Sequence, residues 1–141
     1  MKIFVDTWAW VALADKRDPH HKDALNSYRN SVLFPYNDLI TSQYVLSESL
    51  TLLRPRIGHQ RTLEWLDVLY ESERRGTLQI IRSSNDIWNE SLTLLRRTKD
   101  KPDISHTDFT SFVIMTRLDV KEVFSGDKHF EQINMGFHII K

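Results

Sequence analysis

A chain of 141 residues is long enough for one sizeable core but not for two, so a single domain over residues 1–141 is expected. The absence of cysteine excludes disulfides, thiolate metal sites and thiol nucleophiles. Nineteen basic and nineteen acidic side chains leave no net charge, which argues against binding nucleic acid by bulk charge alone. If four carboxylates are drawn in around a cation, however, the rest of the surface carries a net positive charge.

With 40% hydrophobic residues and only four each of Gly and Pro, the composition is that of a helix-rich globular protein. The early apolar run WAWVALA is too short to span a bilayer and is bracketed by Asp6 and Asp15. No signal peptide, membrane span or lipidation signal is visible, and a cytoplasmic location is expected.

In chain order, Ile3, Phe4 and Val5 form a run of large apolar residues typical of a short strand buried on both faces. TWAWVALA continues as a helix, and DPHHKDALNSYRN has a proline at its start and helical spacing after it. DLIT is a second strand. SQYVLSESLTLLR follows as a helix, with Val45, Ser49 and Leu52 on one stripe and Leu46, Leu50 and Leu53 beside it, ended by Arg54-Pro55-Arg56. HQRTLEWLDVLYESERRG is a long amphipathic helix stopped at Gly76, and LQII is a third strand. Two helices, NDIWNESLTLLRR and HTDFTSFVIMTRL, flank a lysine-rich loop; EVFS is a fourth strand, and GFHII is a fifth at a sheet edge. Strands alternating with helices predict an α/β fold: a three-layer α/β/α sandwich with a mostly parallel sheet of about five strands.

Acids recur at the carboxyl ends of these strands, where ligands bind in open α/β sheets. Asp6 ends the first strand, although Asp-Thr is also a helix-starting pair. Asp127 follows the fourth, after a Gly126 that gives the chain freedom to turn, and is equally an ordinary turn residue. Glu48 is a lone charge among apolar or small residues, of a kind seldom buried unless paired or bound to a cation; its other reading is an exposed stripe with Ser47 and Thr51. Asp108 completes a Ser105-x-x-Asp108 capping-box spacing. Carboxylates without cysteine or a zinc-protease His pair favour Mg²⁺ or Mn²⁺ over Zn²⁺. Metal held this way activates water and stabilises an in-line displacement at a phosphodiester, which points to nuclease chemistry.

Taken together, IFVDTW, ITSQYVLSESLTLL, ISHTDFTSFVIM and VFSGDKHF resemble the PIN-domain ribonucleases, and within them the VapC-type toxins of toxin–antitoxin pairs. The resemblance implies that Asp6, Glu48, Asp108 and Asp127 are the catalytic, metal-binding acids, with Thr7 and Ser125 as supporting or water-binding groups. It implies an RNA substrate, a transfer RNA or ribosomal RNA site, cleaved to leave a 3′-hydroxyl and a 5′-phosphate. It also implies a homodimer and a cognate VapB-like antitoxin.

Arg54, Arg56 and Arg61 around one turn, and Arg96, Arg97, Lys99 and Lys101 in another run, are candidates to hold the RNA backbone or simply to complement helix C-termini. His106 and His129 each lie two residues from a proposed site acid and are within reach of substrate, but read first as polar turn residues; His20 and His21 read as surface helix residues, and the four tryptophans as packing residues. A haloacid-dehalogenase-like phosphotransfer enzyme would need an acid where Trp8 stands, and a receiver module would need one at the end of LQII. A PIN fold kept as a non-catalytic interaction protein is the remaining alternative.

Overall fold

In the computed structural model, residues 1–140 are described; Lys141, the last residue of the expected domain, lies outside them. Five strands, β1 (Lys2–Val5), β2 (Asp38–Ser42), β3 (Leu78–Ile81), β4 (Glu122–Phe124) and β5 (His138–Ile140), form one wholly parallel sheet in the order β3-β2-β1-β4-β5. Ile3, Phe4 and Val5 are buried because β1 is the central strand, with Phe4 opposite Ile40 on one side and Val123 on the other. The chain steps from β1 to β2 to β3, then crosses back to place β4 on the far side of β1. Right-handed crossovers in the two directions put helices on both faces of the sheet. They also make the β1–β4 boundary the point where the strand order reverses, the place such sheets bind ligands.

The connecting helices are α1 (Thr7–Ala14), α2 (His21–Ser27), α3 (Gln43–Ile57), α4 (His59–Arg74), α5 (Asn85–Arg97), α6 (His106–Arg117) and the short α7 (His129–Gln132). Serine caps start three of them: Ser42 accepts from the Val45 amide, Ser84 from that of Ile87, and Ser105 from that of Asp108. Gly76, at φ +80°, ends the turn after α4 as expected.

Three boundaries differ from expectation. The segment after Pro19 is helical only from His21 and passes at Tyr28–Val32 into a wider, π-helical turn. Helix α3 does not stop at Arg54-Pro55-Arg56 but runs through Pro55 to Ile57. So near the C-terminus, proline forfeits little more than one hydrogen bond, and Gly58, at φ +89°, supplies the actual stop. Leu52 leaves the buried stripe that Val45 and Ser49 continue and is exposed.

The core centres on Phe4, Phe109, Phe112, Phe124 and Phe130, all essentially solvent-free. Phe112 of α6 meets Phe130 of α7 edge-on at 5.2 Å and stacks on Phe137 at 5.7 Å. This aromatic knot, worth about 1.5–3 kcal/mol per buried ring, fixes the chain that follows β4 against α6. Among the described residues, no helix is long and apolar enough to cross a membrane.

Candidate active site

Asp6 leaves β1 at the strand reversal, with its backbone N–H bonded to the Phe124 carbonyl of β4. Its main chain starts α1, the carbonyl accepting from Ala9 and Trp10, but its carboxylate makes no capping bond. The side chain instead turns into a pocket of about 470 Å³ that Glu48, Asp108, Asp127 and His129 also line. Asp6 Oδ2 accepts a 2.8 Å bond from the Ser125 hydroxyl, and the same hydroxyl accepts from the Asp127 amide at 3.0 Å. Ser125 therefore clamps the ends of β1 and β4 together. Asp6 Oδ1 and the neighbouring Thr7 hydroxyl are buried with no partner among the described residues.

Asp108 sits in the first turn of α6. Its amide uses the Ser105 cap, but its carboxylate does not complete a capping box: Oδ2 takes the Nδ1 of His129 at 2.9 Å. Asp127 Oδ1 accepts the His129 amide at 2.9 Å and lies 3.1 Å from the same ring nitrogen. Asp108, Asp127 and His129 each present a ligand atom within 4.8 Å of the others. Glu48, half-buried on α3, joins them along the pocket wall, while Ser47 and Thr51 are exposed.

The electrostatics are those of an anion-crowded hollow. Burial, reinforced by the charges of Asp108 and Asp127 and opposed by the Ser125 bond, pushes the Asp6 carboxyl up to about 8. Burial and the charges of Asp127 and Glu48 push Asp108 up to about 6 against the pull of His129. Burial lowers the His129 imidazole, but the Asp108 bond and the surrounding carboxylates outweigh it, and the net direction is upward.

The donor set suits a hard divalent cation: carboxylates and hydroxyls, one imidazole and no sulfur. The orphaned Asp6 Oδ1 fits it specifically, because a buried carboxylate oxygen without a partner is costly unless something else satisfies it.

Other residues fall into place around this centre. The continuation of α3 past Pro55 carries Arg56 to the pocket wall, where it meets Asp18 at 3.4 Å. Arg54 lines a separate groove between α3 and α4, and Arg96, Arg97, Lys99 and Lys101 do not line the acidic pocket. His106 is a packing residue: its Nε2 lies 2.9 Å from Ser91 Oγ, and its ring contacts Trp88 and Tyr44. Gly126 has a different role from the one its sequence context suggests. Its φ is not left-handed; a Cβ there would lie 2.4 Å from the Trp8 indole, so close packing rather than turning demands glycine. His129, read as a turn residue, is the main addition to the site, and the Asp127-x-His129 spacing is the only local trace of it.

Comparison with known proteins identifies the family. The PIN domain family profile matches residues 3–135, and the chain belongs to that family. It is 27% identical over 128 residues to the 23S rRNA-specific endonuclease VapC20 of Mycobacterium tuberculosis, covering 91% of each chain. It is 25% identical over 136 residues to a VapC ribonuclease of Archaeoglobus fulgidus, covering 96% of this chain and 83% of that one. The crystal structure of VapC20, described as a Sarcin-Ricin loop cleaving toxin, superposes with a TM-score of 0.80 at 28% identity over 96% of both chains. The Rickettsia felis VapBC2 structure shares the fold over the full length of both chains, with a TM-score of 0.67 at 16% identity.

Proposed function

We propose that the protein is a metal-dependent endoribonuclease, the toxin of a toxin–antitoxin pair, which uses Asp6, Glu48, Asp108 and Asp127 to hold Mg²⁺ or Mn²⁺. The observation that carries this reading is the convergence of these acids on one pocket at the strand reversal, where a buried Asp6 carboxylate oxygen has no partner among the described residues. A divalent cation held there supplies an activated water and neutralises charge on the phosphodiester.

The chain's own groups do the rest. Ser125 orients the Asp6 carboxylate, and His129 orients Asp108 through its ring and Asp127 through its amide. Arg56 brings a cation to the wall of an otherwise acidic pocket, where a backbone phosphate can displace Asp18 from it. The Thr7 hydroxyl, buried and without a partner among the described residues, is placed to bind water at the site. The products are a 3′-hydroxyl and a 5′-phosphate.

The identity to VapC20 favours ribosomal RNA over transfer RNA as the target. Such an activity requires a restraining partner in its own cell, a small VapB-like antitoxin. An apolar cavity between α1, β2 and α4, rimmed by exposed Phe34 and Val68, supports a protein partner. The active form is a homodimer, to be checked by light scattering, and the site of action is the cytoplasm.

The test is to incubate purified protein with intact ribosomes and with transfer RNA, and to map fragment ends. A discrete cut in ribosomal RNA with a 3′-hydroxyl end supports the reading. Cuts bearing 2′,3′-cyclic phosphate ends, which arise without an attacking water, would overturn it.

A further inference from the structure

Next to the acidic pocket lies a second hollow of about 490 Å³, lined by Trp8, His20, Asp23, Asn26, Ser27 and Gly126. Trp8 and His20 line both, so the two share a wall. We propose that this second hollow is a subsite for one unstacked guanine base of the RNA strand whose scissile phosphate occupies the acidic pocket. The proposal rests on the ribonuclease reading and adds to it the means of choosing a cleavage position.

The walls suit a base. The Trp8 indole is pressed into the space a side chain at residue 126 would fill, which holds it in one place. The His20 ring stands 5.2 Å from it, tilted by 44°. Single-stranded RNA is read by such aromatic faces together with hydrogen bonds to the exposed base edges. Those hydrogen-bonding groups are available: among the described residues, no hydrogen bond or ion pair engages the side chains of His20, Asp23, Asn26 and Ser27 or the Trp8 Nε1–H, and Asp18 Oδ1 takes up the backbone amide of His20, not its ring. Asp23, Asn26 and Ser27 lie at three- and four-residue spacing on one side of α2 and its continuation.

Asp23 decides which base. An ionised carboxylate only accepts hydrogen bonds, and it repels phosphate, so the hollow takes a base rather than backbone. On the Watson–Crick edge, guanine alone presents a ring N–H and an amino group side by side. Adenine and cytosine place a ring acceptor beside the amino group, and uracil flanks its single N–H with two carbonyls. A bidentate pair of this kind discriminates by roughly 1–3 kcal/mol, about 5- to 150-fold in affinity.

The test is a nuclear magnetic resonance titration of the ¹⁵N-labelled full chain with Mg²⁺ and each of the four nucleoside 5′-monophosphates. The Trp8 indole N–H signal is assigned by its loss in Trp8→Phe. The expected result is a saturable shift of that signal with guanosine monophosphate, at least about fivefold tighter than with the other three. In Asp23→Ala, whose substituted side chain is exposed and leaves the core intact, that preference should vanish. No shift with any nucleotide, equal affinity for all four, or a guanine preference that survives Asp23→Ala would each overturn the proposal. Because no phosphodiester is cut in this assay, its outcome is separate from that of the ribonuclease reading: a protein that cleaves RNA yet leaves Trp8 unmoved refutes the subsite alone.

Discussion

Replacing Asp6 by Asn should destroy cleavage and yet stabilise the metal-free protein at neutral pH. In an unfolded chain the Asp6 carboxyl has an ordinary value of 3.8, and in the folded chain it is about 8. The sign follows from which state holds the proton. Below the lower value, both states are protonated and folding is not penalised. As pH rises between the two, the unfolded chain ionises first and gains stability, so the folded state loses about 1.4 kcal/mol per pH unit until the folded carboxyl also ionises. At pH 7 the accumulated penalty is on the order of 4 kcal/mol.

Asparagine carries no such penalty. Its carbonyl can still accept from Ser125, but its amide is left in the unpartnered position of Oδ1, at a cost of about 1–3 kcal/mol. In EDTA at pH 7, Asp6→Asn should therefore be more stable than the wild type by roughly 1–3 kcal/mol, a rise in melting temperature of several degrees for a chain of this length. The gain should shrink or reverse at pH 5. Saturating Mg²⁺ should invert the order at pH 7, because binding stabilises only the chain that keeps the full ligand set. Urea unfolding of both proteins at the two pH values, with and without Mg²⁺, reads all of this. A variant less stable than wild type in EDTA at pH 7, by a margin independent of pH, would refute the account of Asp6 as a strained, cation-seeking carboxylate.

Ser125→Ala leaves Asp6 Oδ2 and the Asp127 amide without their shared partner and should weaken Mn²⁺ binding by about 10–100-fold, measured by calorimetry. His129→Ala removes the ring that steadies Asp108 and should weaken Mn²⁺ binding within the same range of about 10–100-fold. His129→Gln, which keeps a donor, should recover part of the loss. Gly126→Ala forces a Cβ to within 2.4 Å of the Trp8 indole and should destabilise the fold by about 1–3 kcal/mol in urea unfolding. Pairing it with Trp8→Ala should relieve most of that cost.

How legible these features are in the sequence depends on the distance over which each is determined. The β1 run and Asp6 are readable because an apolar strand followed by an acid is a local pattern, and α1 occupies the residues its composition predicts. Glu48 stands out as the one charge in an otherwise uncharged stretch of helix. The reach of α3 through Pro55 is hidden because proline near a helix end costs little, so Arg56 is placed by Gly58 rather than by the residue that draws the eye. The reason for Gly126 lies in Trp8, at the other end of the chain, and no local rule connects them. His129 is obscured in the same way: its turn is local, but the carboxylate that holds its ring is on α6. Helix α7, at four residues, is too short to show a period. Asp108 satisfied two patterns at once, and only the direction of its side chain separates a capping role from a place in the acidic site.

The most direct measurement is cleavage of total RNA by the purified protein in Mg²⁺ or Mn²⁺, beside EDTA and Glu48→Gln. Glu48 lines the pocket without supporting the core, so this variant should keep its fold, as circular dichroism would show. The account predicts discrete fragments that disappear in EDTA and fall by about 100-fold or more in the variant, the scale on which loss of a central charged group acts. Fragments that persist in EDTA, or that Glu48→Gln produces at the wild-type rate, would contradict it.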